Sequence, residues 1–248
     1  MTKEGIYNPW PLGSLPEGFE RPEIKIIMDK YPELKDARDI VDLFERTIAE
    51  FTGAPYAVAV DSCTDALFLI CKYQLRPGTK VTIPARTYIS VPQSIIQAGS
   101  CVEFTNYDWQ GMYLLQHKSS LAIYDSAPRF TKDMYKNFVD TEMALSFQIK
   151  KRLPIGKGGM ILTDDLEAYN WYKKARYEGR DLTIPYDKDS FDMVGWNMYM
   201  CPEDAARGLI LFEKLLRMNP GGIWPDMWNS SNYPNLMEKN VLNKWGYE

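Results

Sequence analysis

The sequence predicts an α/β protein built on a mostly parallel sheet, and three observations carry that prediction. Short continuous apolar runs such as Tyr56-Ala57-Val58-Ala59-Val60 read as strands covered on both faces. These runs alternate with amphipathic stretches of helical period, the order that parallel sheets require. The chain has 248 residues, 45% apolar and 25% charged, which is enough to bury a sizeable core.

The elements follow in order. Residues 1–38 hold Pro9, Pro11, Pro16, Pro22 and Pro32 and predict an irregular N-terminal arm. Between Asp39 and Phe51, Ile40, Phe44, Ile48 and Phe51 recur at helical spacing, and Gly53 with Pro55 supplies the stop. After the strand at 56–60 a helix is expected over 65–73. Pro77-Gly78 then turns the chain into a strand at 81–84, followed by a helix to Gln97. Further strands are expected at 101–104, 121–124, 144–147 and 160–163, the last hairpin-paired. Asp164 reads as an N-cap with Glu167 at N3, for a helix whose face is Leu166, Tyr169, Tyr172 and Ala175 and which Gly179 ends. Pro202 opens the last helix, to Met218, with Ala205, Leu209, Phe212 and Leu216 as its stripe. Residues 219–248, rich in Trp, Asn, Pro and Gly, read as a folded-back surface tail.

Composition narrows the function. Lys plus Arg number 29 against 33 for Asp plus Glu, and a net charge of -4 provides no basic field for nucleic acid. Cys63, Cys71, Cys101 and Cys201 form no C-x-x-C pair, so they read as buried small hydrophobes in a reducing compartment rather than as a disulfide or zinc framework. The single histidine, His117, sits in a polar run and reads as a surface loop residue, which leaves metal sites and Ser-His-Asp triads without their imidazoles. No segment approaches the roughly 20 apolar residues of a membrane span, and the N-terminus lacks a signal-peptide stretch, so a cytoplasmic location is expected.

Three features could carry chemistry, each with a plainer alternative. Ser62-Cys63-Thr64 lies between a buried strand and a helix, where free N–H groups and the helix dipole attract phosphate; it equally suits an ordinary N-cap. Asp125 ends a strand, so its carboxylate emerges at the sheet edge where α/β proteins bind ligands, or simply caps a turn. Lys150 and Lys151 have apolar flanks beside Gly156-Lys157-Gly158-Gly159. A partly desolvated lysine there can form an imine, whereas a solvated one makes a basic loop. In order, a phosphate cup, an aromatic at Tyr88, an acid at Asp125 and a lysine match the four attachments of pyridoxal phosphate: phosphate, ring face, pyridine nitrogen and aldehyde.

At these residues the chain resembles the DegT/DnrJ/EryC1/StrS sugar aminotransferases. The similar segments are Val41-Asp42-Leu43-Phe44-Glu45, Val60-Asp61-Ser62-Cys63-Thr64-Asp65-Ala66-Leu67, Ile83-Pro84-Ala85-Arg86-Thr87-Tyr88, Tyr124-Asp125-Ser126-Ala127 and Ser146-Phe147-Gln148-Ile149-Lys150-Lys151. Gly195-Trp196-Asn197 with Ala205-Ala206-Arg207-Gly208-Leu209 completes the set. The resemblance implies a fold-type-I large domain, three-layer α/β/α, over 39–218, and pyridoxal phosphate as cofactor. By the family's spacing the Schiff-base lysine stands five residues after Ser146 and five before Gly156, which selects Lys151 over Lys150. It further implies Asp125 as partner of the pyridine nitrogen, Tyr88 over the ring, and Ser62, Cys63, Thr64 and Ser146 around the phosphate. Asn197 then reaches a neighbouring subunit's cofactor in a homodimer.

The implied activity moves an amino group from an amino acid, glutamate, to a nucleotide-linked keto sugar. The alternative is a degenerate cofactor- or nucleotide-sugar-binding protein without turnover. Four positions depart from the family: Pro128 replaces a supporting His or Gln, Cys63 a glycine, Lys157 an acid, and Tyr199 an arginine that meets substrate. The chain is also short for the family, and the tail at 219–248 stands where relatives carry a small domain.

Overall fold

In a computed structural model of the chain, residues 21–239 are described. The arm expected to be irregular contains a helix, α1 (Pro22–Lys30), because Pro22 occupies the first turn, where a missing N–H costs nothing; residues 1–20 of that arm lie outside the described residues. Helix α2 (Arg38–Thr52) leads into β1 (Tyr56–Val60), and α3 (Cys63–Gln74) follows at once. Then come β2 (Lys80–Pro84), α4 (Ser90–Gln97), β3 (Cys101–Thr105) and a three-residue strand, β4 (Tyr113–Leu115), which no periodicity announces. The second half holds β5 (Ala122–Asp125), β6 (Thr141–Ser146), β7 (Gly159–Thr163), α5 (Leu166–Ala175) and α6 (Pro202–Met218).

The sheet is mixed rather than mostly parallel in its pairing. Its order is β1-β7-β6-β5-β4, and only β5 and β6 pair in parallel there, while β2 and β3 form a separate parallel pair. An antiparallel bridge from Thr82 to Gln116, with N···O distances of 2.8 and 2.9 Å, joins that pair to the end of β4. Followed across these pairings, β1, β2, β3, β5 and β6 run one way, and β4 and β7 run against them. The expected hairpin of β7 on β6 is present. Strand direction is a non-local property, and helix–strand alternation alone does not encode it.

Alternation along the strands builds three layers. Ala57, Ala59, Met143, Leu145, Met160 and Leu162 face a core made with α1, α2 and α6. Val58, Val60, Ala144 and Ile161 point the other way, into a second core with α3, α4 and α5. The N-cap of α5 is Asp165 rather than Asp164: Asp165 accepts from the N–H groups of Glu167 (2.7 Å) and Ala168 (3.1 Å). Asp164 instead accepts from Asp140 N (2.8 Å), tying β7 back to the start of β6. The helix ends at Ala175, and Leu166, expected on its inner face, is exposed.

Of the cysteines Cys71 is buried, Cys63 and Cys201 half-buried and Cys101 exposed, so the buried reading fails at Cys101; all four are free thiols. His117 sits in the loop after β4, half-buried, and burial lowers its proton affinity. Among the described residues no helix is long and apolar enough to cross a membrane, and no His/Cys/Asp/Glu group could hold a metal.

One buried group gives the fold a pH dependence. Glu142 on β6 is fully buried, accepting from Tyr172 Oη (2.5 Å) and Gln74 Nε2 (2.6 Å), and burial pushes its pKa up to about 8 from 4.5. The folded state then holds this proton more tightly than the unfolded one, so its contribution is complete below about 4.5 and is lost as pH rises through about 8. Glu142→Gln is therefore expected to gain stability relative to the parent chain progressively from pH 5 to 8, by up to ~1.4 kcal/mol per unit of displacement, read as urea midpoints.

Candidate functional site

Strand direction assembles the site. β1, β5 and β6 all end at one edge, and β7, running the other way, begins there: Gly159 pairs with both Val60 and Ser146, and Asp125 with Ala144. The residues that follow β1, end β5 and follow β6 consequently meet. Among the described residues they open onto a cavity of about 650 Å³. Seven of the eight candidates line it: Ser62, Cys63, Thr64, Tyr88, Asp125, Ser146 and Lys151.

The cup at its floor is the N-terminus of α3. Ser62 Oγ accepts from Asp65 N (3.1 Å) and donates to Asp65 Oδ2 (2.7 Å), so it caps the helix as the plainer reading holds. The N–H groups of Cys63 and Thr64 are the first of that helix, which an α-helix leaves without internal acceptors. Gly159 permits the approach of β7 to this turn, for a Cβ there would lie 2.4 Å from Cys63 N. Burial drives the Cys63 thiol well above its usual pKa, so it stays neutral. At the rim Lys157 pairs with Asp61.

Asp125 is 4% exposed, and burial raises its pKa; hydrogen bonds from Tyr113 and Ala127 and the Lys151 charge oppose the shift. Tyr113 Oη donates to Oδ2 at 2.6 Å and Ala127 N to Oδ1 at 2.9 Å. Thr87 Oγ1 bonds the same tyrosine hydroxyl, extending the buried chain. Lys151 stands in the loop after β6, its N–H held by Gln148 O at 2.8 Å. Burial lowers its pKa against the pull of Asp125. Lys150 also borders the cavity but is exposed.

Sequence reasoning missed part of this wall. Trp228 and Tyr233 come from the tail, whose aromatic composition was its only signal, and Tyr113 of the unannounced β4 is buried outside the lining, where it bonds Asp125. Asn197 is not brought into the cavity: it is exposed, donating to Glu178 Oε1 at 2.7 Å. Tyr199 lines a different cavity and lies against Tyr177 with centroids 4.4 Å apart.

The donor set fits pyridoxal phosphate. Free N–H groups at a helix start suit its phosphate, a buried carboxylate short of cations suits a protonated ring nitrogen, and an amine of lowered proton affinity suits its aldehyde.

The chain is similar to the spore coat polysaccharide biosynthesis protein SpsC of Bacillus subtilis, 28% identical over 220 residues, 71% of this chain and 57% of SpsC. It is also similar to the GDP-perosamine synthase of Caulobacter vibrioides, 24% identical over 237 residues, 80% of this chain and 63% of that one. It thus spans about three fifths of these relatives. The structure of DesV from S. venezuelae superposes with a TM-score of 0.59 at 19% identity, covering 78% of this chain and 62% of DesV, and shares its α/β fold. A profile of the DegT/DnrJ/EryC1/StrS aminotransferase family matches residues 34–125 and 137–221, and the chain belongs to that family.

Proposed function

We propose that the chain is a pyridoxal-phosphate-dependent aminotransferase that moves an amino group from an amino acid, glutamate, to a nucleotide-linked keto sugar. The observation that carries the reading is the convergence of Lys151, Asp125 and the α3 N-terminus on one cavity in a chain of this family. The similarity to a perosamine synthase supports a nucleotide-linked sugar as acceptor.

When bound, pyridoxal phosphate supplies an aldehyde carbon and an electron-accepting ring. Ser62, Cys63, Thr64 and Ser146 hold its phosphate, and Tyr88 faces its ring. Asp125 keeps a proton on the ring nitrogen. Lys151 would present the attaching amine and would be the base that moves the donor's α-proton. Asn197, exposed and outside its own cavity, supports a homodimer in which it reaches the partner's site. The cytoplasm, where four free thiols persist, suits such a protein.

The test is the first half-reaction. Glutamate added to the pyridoxal-phosphate-loaded protein is expected to bleach the visible band of the lysine-bound cofactor and release one 2-oxoglutarate per site. A band that persists with every amino donor tried would leave a binding protein without turnover in place of the enzyme.

A further inference from the structure

The C-terminal segment enters the site from outside the motifs. It is tied down on both sides of the cavity. Gly111 N donates to Trp228 O (3.0 Å), Ser230 N to Trp109 O (3.0 Å) and Leu236 N to Ala85 O (2.8 Å). Arg86 Nη1 donates to Tyr233 O (3.1 Å), and Arg152 Nη2, beside Lys151, donates to Pro225 O (3.1 Å). The same segment is therefore anchored to the loop that carries Tyr88, to the start of β4 and to the lysine loop.

Its side chains complete an aromatic wall. Tyr233 packs against Trp109 with centroids 5.5 Å apart, Trp109 against Tyr113 at 4.8 Å, and Trp228 lies 6.1 Å from Tyr233. The Lys151 Nζ sits 4.0 Å from the centroid of the Trp228 ring. Among the described residues that amine makes no hydrogen bond or ion pair, so the indole face is its principal fixed contact.

We propose that Trp228 is a positioning residue for Lys151, its indole face holding the amine inside the cavity and shielding it from water. Residues 225–236 thereby form a wall of the site within one chain. The proposal rests on the reading of Lys151 as the cofactor-bearing lysine. Because Trp228 is fixed through its backbone carbonyl, replacing its side chain leaves the tether in place.

Two readouts on the full chain test it. In the first, the cofactor-free protein is reductively methylated with formaldehyde and cyanoborohydride in alkaline buffer, where access rather than proton loss sets the rate. Labelling of Lys151 is compared by peptide mass with that of exposed Lys150. Trp228→Ala is expected to raise the Lys151 to Lys150 labelling ratio about fivefold, and Trp228→Phe, which keeps a ring face, to leave it within about twofold of the parent. In the second, the pyridoxal phosphate concentration giving half the visible band is expected to rise about tenfold in Trp228→Ala and to recover in Trp228→Phe. An unchanged labelling ratio in a folded Trp228→Ala, or a Trp228→Phe no better than alanine, overturns the proposal. If the parent chain shows no visible band, the aminotransferase reading falls instead, and the labelling ratio still decides whether Trp228 shields Lys151.

Discussion

Lys151→Ala is expected to abolish the visible band at every pyridoxal phosphate concentration and to lower turnover by roughly 10³-fold or more. Two functions disappear with one amine. The alanine chain has no nucleophile for the aldehyde, and no base where the donor's α-proton must leave. Lys150 does not replace it, because its exposed side chain lacks the indole cover and the Asp125 field that Lys151 experiences. The fold itself survives. Burial already disfavours the Lys151 ammonium, so the melting temperature of the ligand-free variant is expected to equal or exceed that of the parent. Spectra, glutamate turnover and melting curves on the same preparations check all three statements.

Asp125→Asn separates binding from chemistry. Asparagine keeps the shape of the carboxylate while removing its charge, and the phosphate cup at α3 is untouched, so the visible band is expected to form. What is lost is the anion that holds a proton on the ring nitrogen. The rate at which glutamate bleaches the band is expected to fall by about 10²- to 10³-fold, the range for removing a preorganised electrostatic partner. The pH dependence has a definite sign. Burial raises the Asp125 pKa, so in the parent the fast reaction is present above that value and declines as pH falls through it. The asparagine variant lacks that decline. Stopped-flow traces across pH distinguish the two, and a variant as fast as the parent would remove Asp125 from the site.

The parts of this account legible in the sequence are those with local signatures. β1 is a continuous apolar run and α6 a proline-started amphipathic helix, and both occupy their expected residues. By the family resemblance, the serine-to-lysine-to-glycine spacing in the loop after β6 points to Lys151, and both Lys150 and Lys151 border the cavity. Tertiary pairing decided the rest. β4 is three residues long, too short for any period, and it exists because Tyr113, Leu114 and Leu115 pair with β5. The helix at 22–30 forms in a proline-rich stretch since Ile24 and Ile27 are buried in the core it shares with α2 and α6. The Asp164–Asp165 exchange reflects two adjacent acids of equal capping propensity, sorted by the long-range bonds that Asp164 accepts from Asp140 N, Thr141 N and Tyr135 Oη. Among the described residues, which end at 239, the tail carries no element longer than a turn, and its place over Lys151 follows from anchors far away in the chain, Ala85, Trp109, Gly111 and Arg152.

The departures at Cys63 and Lys157 also find a physical account. Cys63 contributes a neutral thiol to a cup whose close approach is secured instead by Gly159, and Lys157 forms an ion pair with Asp61 at the rim. Neither removes a donor from the α3 N-terminus that we propose holds the phosphate. Pro128 is buried in the turn that follows Asp125, whose oxygens are held by Tyr113 and Ala127.

The most direct test of the central claim is the address of the cofactor. Pyridoxal phosphate bound to the parent chain is fixed with borohydride, the protein digested, and the modified residue located by mass spectrometry. The account predicts one pyridoxyl group per chain, on Lys151, and none in Lys151→Ala. A group found on Lys150 or Lys157, or spread over several surface lysines, would contradict it.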